Sequence, residues 1–139
     1  MKYSVKIVLV NPESKLLLQL RDNIPGIVDP GRWDFIGGAM EKGETAQQSI
    51  RRELKEEISS EVEDIAQIPE LYVNGREEKY DDDHIVFMFR GSIRDAIRQI
   101  RLYEGQEVRY FGITDLRSIN FPRFYTEYVN KYKGMIFKK

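Results

Sequence analysis

The chain has no cysteine and a single histidine among its 139 residues. Without thiols it forms no disulfide and no thiolate metal site. One histidine, His84, cannot build a zinc cluster, so a structural or solvent role is assigned to it. Charge of one sign is also missing, because 32% of residues are charged yet the net charge is −1. That removes any bulk electrostatic pull toward nucleic acid or an anionic membrane, and nucleic acid is not expected among the partners. No apolar run approaches the ~20 residues of a membrane span. Met1-Lys2-Tyr3 leads straight into an apolar strand, so the expectation is a soluble, cytoplasmic protein. Repeats and low-complexity tracts are absent too. With 41% hydrophobic and 12% aromatic residues, the chain is long enough for one well-packed core and too short for two ordinary domains. A single domain over residues 1–139 is expected.

What the chain does have is concentrated between Gly38 and Glu57. Thr45 followed three residues later by Gln48 is a capping-box pattern that starts a helix. Ala46, Ile50, Leu54 and Ile58 then recur every four residues as an apolar stripe. At about 100° per residue, Glu57 falls inside that stripe, Glu53 at its edge and Glu56 on its flank, while Gln48, Arg51, Arg52 and Lys55 lie largely opposite. The acids are therefore expected to face inward. Burying ionised carboxylates is costly unless they are paired or bind a metal, and Glu53 repels both Glu56 and Glu57 at helical spacing. A divalent cation turns that repulsion into binding energy. Oxygen-only ligands suit Mg²⁺ or Mn²⁺. Arg52 is expected to pair with Glu44 or a neighbouring glutamate and hold the helix against the preceding turn.

Upstream, Trp33-Asp34-Phe35-Ile36-Gly37-Gly38 reads as a short apolar strand running into a paired-glycine turn. Glycine permits positive φ and close backbone approach, and the helix start that follows favours an anion. Together these features resemble the signature of the Nudix (MutT-like) hydrolases: glycine, five residues, glutamate, seven residues, then R-E-U-x-E-E-x-G-U with U a bulky aliphatic. Gly38, Glu44, Arg52, Glu53, Leu54, Glu56 and Glu57 all match. The tail departs from the pattern, with Ser59 for glycine and Ser60 for an aliphatic residue, and Ile36 replaces the proline that often precedes the glycines. Since a glycine there usually takes a left-handed turn, Ser59 is expected to cost about 1 kcal/mol.

The resemblance implies an α/β fold of the Nudix type, an α/β/α sandwich with a mixed β-sheet. It implies hydrolysis of a nucleoside diphosphate linked to another moiety, with a small-molecule nucleotide as substrate. The implied metal set is Gly38, Glu53, Glu56, Glu57 and Glu104, with Glu53, Glu57 or Glu104 as catalytic base and Glu44 and Arg52 in support. Glu104 enters because Tyr103-Glu104-Gly105-Gln106-Glu107 resembles a loop in which some MutT-like enzymes carry an additional acid; Glu107 is the second match. The resemblance also favours a homodimer. The alternative is a catalytically weak nucleotide-binding sensor module on the same fold, and a third reading is an enzyme of RNA 5′ ends using Arg94, Arg98 and Arg101.

Strands are expected at Tyr3 to Val10, Leu16 to Leu20, Leu71 to Val73, His84 to Arg90 and Glu107 to Phe111. A terminal helix is expected over Arg123 to Lys133, with Phe124, Tyr128 and Tyr132 on one face. Trp33, Phe35, Tyr72, Tyr80, Phe87 and Tyr125 offer rings for stacking a base, although core packing is the expected role for most of them. In MutT-like 8-oxo-purine triphosphatases a purine-reading asparagine falls near Tyr125, and its replacement weakens that particular substrate reading.

Overall fold

Side-chain alternation along the first strand organises the molecule. A computed structural model of the chain describes residues 1–21, 31–78, 80–103, 105 and 107–138. β1 (Lys2–Val10) sends Val5, Ile7 and Leu9 to one face and Val8 and Val10 to the other, and both sets are buried. β1 is thus a central strand needing cover on both sides. A turn at residues 11–14, in which the Asn11 carboxamide oxygen accepts from the Glu13 and Lys15 backbone N–H groups at 3.1 and 2.9 Å, returns the chain to β2 (Leu16–Leu20).

The strands that follow are β3 (Trp33–Asp34), β4 (Ile36–Ala39), β5 (Glu63–Val73), β6 (His84–Ser92) and β7 (Glu107–Phe111). They form one sheet in the order β3-β2-β1-β6-β5, with β4 also on β1 and β7 also on β2. β1 and β6 run parallel from Lys2↔His84 to Val10↔Ser92, and the remaining pairs are antiparallel. The first face is covered by α1 (Ala46–Glu57), whose Ile50 and Leu54 join Ile7, Leu17 and Phe89. The other is covered by α2 (Arg123–Lys131) and α3 (Lys133–Ile136), through Tyr125, Tyr128, Val129 and Ile136. Each fully buried Leu or Ile contributes about 1.5–3 kcal/mol. The result is the expected α/β/α sandwich on a mixed sheet. Among the described residues, no helix is long and apolar enough to cross a membrane.

Three elements differ from expectation. The apolar run Trp33 to Gly38 is two strands, not one: β3 pairs with β2 through Gln19↔Asp34, and β4 pairs with β1 through Lys6↔Gly37. The chain changes partner at Phe35, which is fully buried. Gly37 makes the crossing possible, since at φ 150° a Cβ there would stand 2.0 Å from the Val5 carbonyl oxygen.

β5 begins at Glu63, eight residues before the expected Leu71, and its pairing with β6 slips twice. Those slips destroy the period-2 pattern that marks a strand, and only Ile68 and Val73 of β5 are buried. The terminal helix is shorter and rotated relative to the expected face. It stops at Lys131, and its buried residues are Tyr125, Thr126, Tyr128 and Val129, with Phe124 and Tyr132 only at the margin. The Tyr128 hydroxyl donates to the Pro69 carbonyl oxygen, which fixes that rotation.

Candidate active site

α1 starts at its expected cap. The Thr45 hydroxyl accepts from Gln48 N–H at 3.1 Å, and the Gln48 side chain accepts from Thr45 N–H at 2.9 Å. Just ahead, Glu44 Oε1 accepts from Glu41 N–H at 2.8 Å, closing the turn. Arg52 reaches back across this turn. Its Nε donates to Glu44 Oε2 at 2.7 Å and its Nη2 to Glu44 Oε1 at 2.9 Å, a fork-to-fork pair. The same guanidinium donates to the Ala39 carbonyl oxygen at 3.2 Å, to Glu53 Oε1 at 3.1 Å and to Glu56 Oε2 at 3.1 Å. Arg52 therefore ties α1 to the 39–44 turn and neutralises several acids at once. The Glu44 carboxyl is held down to about 2, chiefly by its hydrogen bond from Arg52.

Glu53 and Glu57 lie at the buried end of this arrangement, 8% and 4% exposed. Glu53 backs onto Gly38 so closely that a Cβ at Gly38 would stand 2.6 Å from Glu53 Oε1. Burial pushes the Glu53 carboxyl up, against the pull of Arg52. Glu57 is held by two neutral donors, the Gln19 amide to Oε1 at 3.1 Å and the Gly37 N–H to Oε2 at 2.9 Å. Burial raises its carboxyl to about 7, although Lys6, Gln19 and Gly37 all oppose that rise.

Glu56 departs from expectation. Its side chain is 49% exposed and turned to solvent, engaged among the described residues by the outer edge of Arg52. Flank positions of the stripe fall outside the helix–sheet contact, which is why the inward reading fails for Glu56. Among the described residues no three acidic or histidine side chains converge on one point, because the Arg52 guanidinium stands between Glu53 and Glu56. Glu104 lies outside the described residues. Glu107 opens β7 and pairs with Arg109 at 3.0 Å on the surface. His84 opens β6 and sits 5.5 Å from the Tyr80 ring.

The residues fit a hard cation. Two buried carboxylates stand beside a glycine turn, one of them hydrogen-bonded by neutral donors with Lys6 as a nearby positive charge that does not offset its burial, and a divalent ion suits such a donor set.

Ser59 is not strained. The helix ends in an extended residue, Ile58 at φ −135°, and neither Ser59 nor Ser60 has positive φ. Ser59 instead binds the following strand-like segment: its N–H donates to the Arg101 carbonyl oxygen at 3.0 Å, and its hydroxyl accepts from Arg101 N–H at 2.9 Å. Tyr103 N–H then donates to the Glu57 carbonyl oxygen at 2.8 Å. The expected penalty is replaced by a gain. Ser59→Gly, which restores the common motif residue, should lower stability by about 1 kcal/mol; a thermal melt of the variant at or above the wild-type midpoint would contradict this.

Three site residues escaped the sequence reading: Lys6, Gln19 and Asp34. Each is the polar exception in an apolar strand, and that interruption was the available signal. Lys6 is buried and donates to Asp34 Oδ2 at 3.0 Å and to the Phe35 carbonyl oxygen at 3.4 Å. A cleft of about 360 Å³ opens here, and its wall includes Lys6, Asp34, Gly38, Tyr80, Phe124 and Tyr125. Tyr80 is fixed by Arg32 Nη1, which donates to its hydroxyl at 3.0 Å. Trp33 and Phe35 belong to the core, edge-on to Phe111 and Phe121 at 4.9 and 5.3 Å. A hollow of about 610 Å³ between β5 and α2 touches neither Glu53 nor Glu57.

The family model described as NUDIX domain matches residues 2–132. The chain belongs to that family. It is 35% identical over 100 residues to the RNA pyrophosphohydrolase of Campylobacter jejuni subsp. doylei, covering 71% of this chain and 51% of that protein. It is 39% identical over 61 residues to the dihydroneopterin triphosphate diphosphatase of Escherichia coli, covering 42% of this chain and 37% of that protein. The chain thus spans about half, or less, of the length of these curated relatives. Among solved structures, a MutT protein from Methanosarcina mazei superposes with a TM-score of 0.74 at 20% identity, covering 99% of this chain and 96% of the other. At that identity the likeness concerns the fold.

Proposed function

We propose that the chain is a divalent-metal-dependent pyrophosphohydrolase cleaving a nucleoside diphosphate linked to another moiety: a nucleoside triphosphate, ADP-ribose or a nucleotide sugar. The observation that carries this reading is the buried pair Glu53 and Glu57 set against the Gly37-Gly38 turn, whose Gly38 also lines an aromatic-walled cleft. Membership of the Nudix family supports it. So do the names of the two curated relatives, both of enzymes that act on phosphoric anhydride bonds.

Glu53, Glu57 and the Gly38 backbone would hold Mg²⁺ or Mn²⁺, with Glu56 and Glu104 as further acidic ligands. A bound divalent cation supplies charge neutralisation of the pyrophosphate and activation of water. The chain's own groups do the rest. Gln19 and Gly37 orient both oxygens of Glu57, so the proton of the attacking water has a fixed acceptor in the buried pair. Arg52 pins α1 to its entry turn and keeps the acids in register. Lys6, in the wall of the cleft beside Gly38, adds positive charge where the phosphates enter.

The test is turnover across a panel of nucleoside triphosphates, 8-oxo-dGTP, ADP-ribose, nucleotide sugars and dihydroneopterin triphosphate, each with Mg²⁺, Mn²⁺ or EDTA. Hydrolysis of at least one compound with metal, falling to background in EDTA, is the expected result. Binding without turnover across the panel would replace the enzyme with a sensor module.

A further inference from the structure

We propose that Ser59 is a positioning residue for the reaction, acting through the segment that carries Arg101, Tyr103 and Gly105 on Gln19 and so on the Glu57 carboxylate. This rests on the hydrolase reading for the role of Glu57. Where the family pattern has a glycine without a side chain, this chain has a hydroxyl, and the hydroxyl has a partner. Ser59 Oγ accepts from Arg101 N–H at 2.9 Å while Ser59 N–H donates to the Arg101 carbonyl oxygen at 3.0 Å, so residue 101 is gripped through both of its backbone groups. Ile58 and Leu102 add an antiparallel bridge. Tyr103 N–H then donates to the Glu57 carbonyl oxygen at 2.8 Å. Residues 101 to 103 are thereby laid along residues 57 to 59, the end of α1 and the two positions beyond it.

Gly105 carries the contact on to the Glu57 side chain. It adopts φ 88°, and a Cβ there would stand 3.0 Å from the Leu20 carbonyl oxygen and 3.4 Å from Gln19 Oε1. Glycine meets both demands, the left-handed backbone and the close approach. Backbone this near the carboxamide limits how far Gln19 can move, and the Glu57 carboxylate, which only accepts, selects the amide end that faces it. Gln19 Nε2 donates to Glu57 Oε1 at 3.1 Å. The segment thus reaches Glu57 twice, directly at its main-chain carbonyl and through Gln19 at its carboxylate. Gln19, Ser59, Tyr103 and Gly105 all lie outside the wall of the aromatic cleft. Loosening the segment therefore leaves the substrate's own contacts alone and displaces the proton acceptor, and an acceptor out of place costs turnover rather than binding.

Ser59→Ala removes the hydroxyl and keeps the backbone pairing; Ser59→Thr keeps both. The first readout needs neither metal nor substrate. The NMR signals of the Gln19 side-chain NH₂, assigned by their loss in Gln19→Met, should shift or broaden in Ser59→Ala and match wild type in Ser59→Thr. The second readout is turnover of a hydrolysed panel compound in saturating Mg²⁺, well below the melting midpoints. Ser59→Ala should lower kcat about 10-fold with KM unchanged, Ser59→Thr should restore it, and Ser59→Ala should add no further loss in a Gln19→Met background. A hydroxyl that serves stability alone lowers the melting midpoint and moves none of these. Unchanged Gln19 signals in Ser59→Ala overturn the proposal whether or not the protein turns over. An unchanged kcat in an active protein, a loss that Ser59→Thr does not restore, or losses that add in the double variant overturn it as well. Altered Gln19 signals in a protein that hydrolyses no panel compound remove the hydrolase reading and leave Ser59 as the residue that positions Gln19.

Discussion

Glu57→Gln lowers kcat/KM by about 10³-fold with Mg²⁺ present, the range associated with losing a positioned proton acceptor, and does so in a protein that folds. The geometry explains both halves of this expected result. Glu57 is in direct hydrogen-bond contact with Gln19 and Gly37 and is almost fully buried, so glutamine of nearly the same shape occupies its place. The Gly37 N–H still finds an acceptor in the new amide oxygen, and Gln19 accepts from the new NH₂ by turning its carboxamide over, at the loss of its long 3.5 Å contact with the Phe35 carbonyl oxygen. What the variant lacks is the negative charge, and with it both a cation ligand and a proton acceptor. Its thermal midpoint without metal should therefore equal or exceed that of wild type at pH 8, since a buried charge whose desolvation outweighs its compensation has been removed. Added Mg²⁺ should raise the wild-type midpoint and leave the variant unmoved. Turnover within tenfold of wild type would transfer the role to another acid; a collapsed fold would mean that Glu57 is held for structure.

The legible part of this molecule is the part written in local pattern. The α1 cap at Thr45 and the two-sided burial of β1 follow from spacing that the sequence carries openly. The pairing of Arg52 with Glu44 rests on an eight-residue separation that the motif preserves. What stayed hidden depends on partners distant along the chain. Lys6, Gln19 and Asp34 are polar residues in apolar strands, and only the switch of partners at Phe35 brings Lys6 and Asp34 within 3.0 Å across 28 residues. Gln19 likewise meets Glu57 across 38 residues. Most of β5 is hidden in the sequence because its slips in register and Pro69 erase the alternation that marks a strand. Ser59 departs from the left-handed turn that the family pattern implies, because the segment carrying Arg101 pairs with a helix end in extended conformation.

The same buried acids set a second large effect, on stability against pH. Burial raises Glu57 from 4.5 to about 7, and Glu53 moves in the same direction. Below pH 4.5 the Glu57 carboxyl is protonated in both folded and unfolded chains and has no influence. Between 4.5 and 7 the unfolded chain releases a proton that the folded chain retains, so folding stability falls as pH rises. Above 7 the full penalty applies, about 3 kcal/mol for a shift of this size in a group so deeply buried. Glu44 acts in the opposite sense but in another window. Its depressed carboxyl contributes stability that is present above 4.5 and lost as pH falls toward about 2. Metal-free protein should therefore be most stable near pH 5 and weaker at pH 8. A cation bound by Glu53 and Glu57 favours their ionised forms, so saturating Mg²⁺ should remove most of the decline. Urea unfolding at pH 5 and pH 8, with and without Mg²⁺, measures this directly. A metal-free protein no less stable at pH 8 than at pH 5 would show that the buried acids already have their counter-charge in the protein, and the case for a cation at this site would fall with it.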